Sequence, residues 1–207
     1  MKDPLPHAAL HDELKKFSKA LTAKFSARTE GQPEAQLKSP VEHLFTAYGK
    51  LTDHRIVLKD ESSIERIGRP DYAVESNGLL VGYIELKEPE KGANIAKYKG
   101  HDASQWSRFK NLPNILYTSA NEWALYQDGE LVEKIIRLDG DACCDGEGAV
   151  TENDAKLLFS LFGAFTSWSP IVPRKPKELA SHLAPFCRLI RDDVIESLKT
   201  PRSPMRS

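Results

Sequence analysis

The chain has 207 residues, 29 Lys and Arg against 30 Asp and Glu, a formal net charge of −1 and 40% hydrophobic content. That is enough chain to bury a real core, and the balanced charge excludes a strongly basic, indiscriminate nucleic-acid binder. No apolar run approaches the ~18 residues of a membrane-spanning helix, and Met1-Lys2-Asp3-Pro4-Leu5-Pro6 lacks a signal peptide's apolar stretch, so the cytoplasm is the expected location.

In chain order, Leu10, Leu14, Phe17, Leu21 and Phe25 recur at helical spacing and predict an amphipathic helix over 10–28. Residues 29–38, polar with Gly31 and Pro33, read as a loop. Ser39-Pro40-Val41-Glu42 then opens a second helix whose apolar stripe is Val41, Leu44, Phe45 and Tyr48; Ser39 and Glu42 have the spacing of a capping box, with proline in the first turn. Tyr72-Ala73-Val74-Glu75 reads as a strand, Ser76-Asn77-Gly78 as a turn and 79–86 as a long apolar strand. A turn at 88–92 leads into a helix over 94–110, with Ile95, Tyr98, Asp102, Trp106 and Phe109 on one face and Gln105 beside Asp102. Strands follow at 114–119 and 123–126, then a hairpin turn at 127–130 and a strand over 131–138.

The acidic stretch 139–148 fails the calcium-loop pattern, because the sixth position from Asp139 is Cys144 rather than glycine, and reads as a mobile loop. A helix over 152–168, a proline-punctuated connector over 169–176, an amphipathic helix over 177–199 and a polar tail complete the chain. Cys143 and Cys144 are adjacent and Cys187 is distant, which suits neither a disulfide framework nor tetrahedral zinc.

The chemistry concentrates where the two strands after residue 71 meet. A turn at Asn77-Gly78 returns the second strand so that its end, with Glu85 and Lys87, comes beside Asp71. Side chains two apart on a strand share a face, so Glu85 and Lys87 point the same way. Three charges ending an apolar strand are costly unless a partner neutralises them. A divalent cation held by Asp71 and Glu85, with the Leu86 carbonyl, meets that need, since magnesium takes one or two carboxylates plus other oxygens. Lys87 is then placed to orient the attacking water or stabilise charge on a phosphate. Metal-assisted phosphodiester hydrolysis is the reaction these residues fit best. Lys87, Lys91, Lys97, Lys99, Arg108 and Lys110 outnumber the acids between them, a local basic surface for a DNA backbone or else a solvated helix face.

Pro70-Asp71 followed by Glu85-Leu86-Lys87 resembles the signature of the PD-(D/E)xK nuclease superfamily. The succession Gly100-His101-Asp102-Ala103-Ser104-Gln105-Trp106, Leu112-Pro113-Asn114-Ile115-Leu116-Tyr117-Thr118 and Glu122-Trp123-Ala124-Leu125-Tyr126 with Gly129-Glu130 narrows the likeness. It is similar to the N-terminal endonuclease domain of large restriction–modification polypeptides that also carry an adenine DNA methyltransferase. The similarity runs over about 39–132, with a weaker echo at 179–198.

The resemblance implies an α/β, restriction-endonuclease-like core: a mixed central sheet flanked by helices, with extra N- and C-terminal helices. It places a nuclease domain at 1–168, with its core at about 39–138, and at 169–207 a connector and helix leading toward a further domain. It implies Mg2+-dependent DNA cleavage, with Mn2+ able to substitute. Asp71, Glu85 and Leu86 would hold the metal, Lys87 would assist catalysis, and Gln105 and Glu42 would support it. For Glu42 the capping box remains the competing explanation, and for Gln105 a merely local hydrogen bond. The implied partners are double-stranded DNA, contacted by Lys91, Lys97, Lys99 and Arg108, methyltransferase and target-recognition regions on the same polypeptide or separate subunits, and a transient homodimer for double-strand cleavage. The alternative is a catalytically silent nuclease-like fold that binds DNA or docks a partner; the intact triplet counts against it.

Overall fold

The computed structural model describes residues 6–27, 32–60, 64, 67–169, 187 and 191. The chain divides into two compact units, Met1–Trp168 and Ser169–Ser207. Apart from Cys187 and Arg191, the helix expected over 177–199 lies outside the described residues, as does the tail.

Helix α1 (Pro6–Phe25) buries Leu10, Leu14, Phe17 and Leu21, the stripe its periodicity announces. Helix α2 spans Pro33–Leu51 and so starts well before Ser39, within the stretch expected to be a loop. Pro33 opens the helix, where a missing N–H costs nothing. Pro40 lies inside it and cannot donate to the Gln36 carbonyl. Leu37, Val41, Leu44 and Phe45 are buried on both sides of that proline, and their packing carries the helix through the defect.

Seven strands form one sheet among the described residues, in the order β1-β2-β3-β4-β5-β6, with β7 also on β5. They are β1 (Ile56–Asp60), β2 (Tyr72–Ser76), β3 (Leu79–Leu86), β4 (Asn114–Thr118), β5 (Glu122–Gln127), β6 (Glu130–Leu131) and β7 (Ile136–Arg137). β2 and β3 join through Asn77 and Gly78, both at positive φ (52° and 82°), the geometry that matches a hairpin's twist. β3 and β4 are parallel, all other pairs antiparallel. A parallel pair needs a crossover, which α3 (Gly100–Phe109) supplies. The single helix expected over 94–110 is instead a 3-10 turn at Ile95–Lys97, capped by the Asn94 side chain, and then α3. Extended Lys99 (φ −134°, ψ 161°) separates the two. The strand expected over 131–138 is likewise split into β6 and β7, with Glu133 at φ 57° between them.

Strand alternation gives the sheet two different faces. Tyr72, Val74, Ile84, Leu86, Leu116, Trp123 and Leu125 pack with α1, α2 and α4 (Glu152–Thr166). Tyr83, Ile115, Tyr117, Ala124 and Tyr126 pack with Trp106 and Phe109 of α3. The acidic loop read as mobile is anchored: Ser18 Oγ donates to the Gly146 carbonyl (2.5 Å), and Gly146 N–H donates to Thr22 Oγ1 (2.9 Å). Asp141 Oδ1 accepts from Cys143 N–H and Asn121 Nδ2, so this carboxylate serves the loop's own backbone.

Candidate active site

Asp71 is the residue before β2, and Tyr72 pairs with Ile84, which brings Asp71 to the end of β3. There Leu86 N–H donates to Asp71 Oδ2 at 2.8 Å. Glu85 and Lys87 alternate with Ile84 and Leu86 and therefore face α3, with Glu85 in register with Tyr117 of β4. Their side chains are only 5% and 4% exposed.

Two residues one turn apart on α3 complete a closed network around them. Lys87 Nζ donates to Glu85 Oε1 (2.9 Å) and Gln105 Oε1 (2.7 Å), and lies 3.3 Å from Asp102 Oδ1. Gln105 Nε2 donates back to Glu85 Oε1 at 2.8 Å. The other Asp102 oxygen lies 3.4 Å from Lys91 Nζ, which also pairs with Glu88 at 3.2 Å. Two hydrogen bonds, to Glu85 and Gln105, and the nearby Asp102 carboxylate hold the Lys87 ammonium. Glu85 Oε2, by contrast, is buried and has no partner, as is the Tyr117 hydroxyl.

The electrostatics follow from burial against pairing. Burial pushes the Glu85 carboxyl up to about 7, despite the pull of Lys87 in the opposite direction. Burial also raises Asp71, against the Leu86 amide and the Lys38 and Lys87 charges. At Lys87 burial acts downward, but the attraction of Glu85 overrides it and holds the ammonium above its ordinary range. At Asp102 burial acts upward and is outweighed by Lys87 and Lys91.

An orphaned oxygen on a buried carboxylate, next to a second carboxylate at the adjacent strand end, fits a hard cation. Among the described residues, no group of three or more His, Cys, Asp or Glu gathers as a cation cage. Asp71, Glu85 and the Leu86 carbonyl are the oxygens at this strand end that could serve such a cation.

Helix α2 borders this site in a way the sequence reading missed. Because α2 starts at Pro33, Ser39 is not a helix start and the capping-box reading of Glu42 falls. Glu42 Oε1 instead accepts a 2.8 Å hydrogen bond from the Tyr72 hydroxyl. Glu34, in the first turn, is the α2 carboxylate close enough to feel Lys87, Lys91, Asp71 and Glu88, though its largest influence is burial, which raises it. Lys38 lies between them, so positions 34, 38 and 42 form one i, i+4, i+8 charged stripe. That spacing was the available signal, and it vanishes once 29–38 is read as loop.

Lys91, Lys97, Lys99 and Arg108 are all exposed, on the segment that runs from the Lys87 strand end through α3. The main chain after Lys87 is clamped from β5, where Ala93 N–H donates to Glu122 Oε2 (3.0 Å) and Tyr126 Oη donates to the Ala93 carbonyl (3.0 Å), and locally by Tyr98 Oη, which donates to the Gly92 carbonyl (3.0 Å). Arg137 holds the other oxygen of Glu122. Gly92 is at φ 70°, and a Cβ there would meet Glu122 Oε2 at 2.5 Å.

The mixed sheet, the β3–α3–β4 crossover and the flanking helices make a restriction-endonuclease-like α/β fold. The chain is similar in fold, with a TM-score of 0.52 and 18% identity, to a chain in the cryoEM structure of a DrdV–DNA complex. The match covers 78% of this chain and 14% of that one, and at this identity the likeness speaks to the fold. No family model matches the chain, and no curated protein matches its sequence.

Proposed function

We propose that this chain is a magnesium-dependent DNA endonuclease domain of a restriction–modification system. The observation that carries the reading is the buried, partnerless Glu85 Oε2 beside Asp71, with Lys87 locked onto the same carboxylate. The fold likeness to a chain of a DrdV–DNA complex supports DNA as the substrate. Asp71, Glu85 and the Leu86 carbonyl would hold Mg2+, or Mn2+ in its place, with Glu34 supplying further negative charge from α2. When bound, the cation supplies Lewis-acid polarisation of the phosphate and a more acidic water.

The protein's own groups do the rest. Lys87, kept protonated by Glu85, carries positive charge toward the scissile phosphate and stabilises the charge that develops there. Gln105 fixes the Lys87 and Glu85 side chains through one amide. Lys91, Lys97, Lys99 and Arg108 meet the backbone of double-stranded DNA, a contact that positions without reading sequence. Target choice then falls to methyltransferase and recognition regions on the same polypeptide or on separate subunits, and double-strand cleavage to a transient homodimer. Such a domain works in the cytoplasm.

One observation favours a second reading, a silent module that binds DNA or docks a partner: Lys87 is buried and already holds Glu85, Gln105 and Asp102. Calorimetric titration of Mn2+ separates the two. Endonuclease function requires binding by the wild-type protein that Asp71→Ala removes; equal heats from both proteins at saturating metal leave only the silent module.

A further inference from the structure

Asp71 has two ammonium groups acting on it, Lys87 and Lys38. Lys87 is buried and hydrogen-bonded to Glu85 and Gln105. Lys38, on α2, is 29% exposed in its side chain and donates to Asp60 Oδ1 at 2.8 Å, a carboxylate that is itself 60% exposed. Asp60 ends β1 and is in register with Tyr72, the residue after Asp71. The Lys38 ammonium also sits 5.9 Å from the centre of the Tyr72 ring. The Tyr72 ring and Asp60 thus keep this charge on the α2 side of the strand end that carries Asp71.

A solvent-exposed ion pair of this kind contributes little, about 0–1 kcal/mol, and is readily exchanged. A phosphodiester arriving at Asp71 offers Lys38 a better acceptor, and DNA binding adds the release of a counterion for each phosphate neutralised. We infer that Lys38 is a DNA-phosphate anchor, parked on Asp60 in the free protein and transferred to a backbone phosphate next to the Asp71 site when DNA binds. Asp60 is the positioning residue that keeps the ammonium there and competes with the phosphate for it. The inference rests on the DNA reading above and adds to it a contact on the α2 side of the site.

The test is fluorescence anisotropy of a labelled DNA duplex, in EDTA so that nothing is cut, across a series of salt concentrations. The proteins are wild type, Lys38→Ala, Lys38→Arg, Asp60→Asn and the Lys38→Ala/Asp60→Asn double variant. Lys38→Ala is expected to weaken binding about tenfold at low salt and to reduce the slope of log K against log salt by about 0.9, the value for one phosphate contact. Lys38→Arg retains the wild-type slope. Asp60→Asn tightens binding, and does so only while Lys38 is present. An unchanged slope in Lys38→Ala overturns the inference, as does equal tightening by Asp60→Asn with and without Lys38, which would mark a general field effect. Absence of any DNA binding by the wild-type protein would instead sink the DNA reading itself, and this inference with it.

Discussion

In the metal-free protein, buried Glu85 makes stability depend on pH in the sense opposite to that of an ordinary paired carboxylate. Its carboxyl titrates at about 7 in the folded chain against 4.5 ordinarily. The native state therefore holds this proton more tightly than the unfolded state does. The associated stability is fully present below 4.5 and is lost as pH rises through 7. At about 1.4 kcal/mol per pH unit, that gap amounts to roughly 3 kcal/mol. With the side chain 5% exposed, solvent screening takes little from it. Glu85→Gln keeps an oxygen for Lys87 and Gln105 but cannot ionise, so it is the proper reference. Urea unfolding in EDTA, stepped through this pH range, should show wild type losing about 3 kcal/mol relative to the variant. Mg2+ added at the alkaline end should restore wild type and leave Glu85→Gln unmoved. Parallel curves for the two proteins, or wild type gaining on the variant as pH rises, would mean that Glu85 is ionised and satisfied in the native state, and the metal argument would lose its footing.

Other outcomes follow from particular bonds. Gln105→Ala breaks two hydrogen bonds to charged partners and should cost about 2–3 kcal/mol in urea unfolding, together with a steep loss of DNA nicking. Tyr72→Phe removes the donor to Glu42 and should lower stability by about 1–2 kcal/mol in thermal melts while leaving Mn2+ affinity unchanged. Glu34→Gln should do the reverse, weakening Mn2+ binding about tenfold by calorimetry with little effect on the melt; a loss of metal affinity in Tyr72→Phe but not in Glu34→Gln would restore Glu42 as the carboxylate facing the cation. Glu122→Ala releases both the Ala93 amide and Arg137 and should destabilise the fold by about 2–3 kcal/mol, read from the urea midpoint.

The strand pair that builds the site was readable because two local rules coincide there. Asn77-Gly78 dictates the turn, and a period of two then puts Glu85 and Lys87 on one face with Asp71 at their end. Gln105 came into view through the resemblance rather than through spacing, and the structure joins it to Lys87 and Glu85. What the sequence hid lies where tertiary packing overrides local signals. Pro33, Pro40 and Gly31 disguise the first two turns of α2, so Glu34 and Lys38 stayed out of view. β1 is an edge strand whose burial fades from Ile56 to Asp60, too weak a pattern to register, and with it went Asp60, a partner of Lys38. The segment before the break at Lys99 is held by Glu122 and Tyr126 through Ala93, contacts some thirty residues apart in the chain that no local pattern announces.

The most direct test of the central claim is nicking of supercoiled plasmid by the wild-type protein and by Asp71→Ala and Lys87→Ala, with Mg2+ or Mn2+ and with EDTA. The account predicts nicking by wild type with either metal, abolished by EDTA and by each substitution while circular dichroism shows the fold retained. Nicking that survives in EDTA, or that persists undiminished in Asp71→Ala, would contradict it.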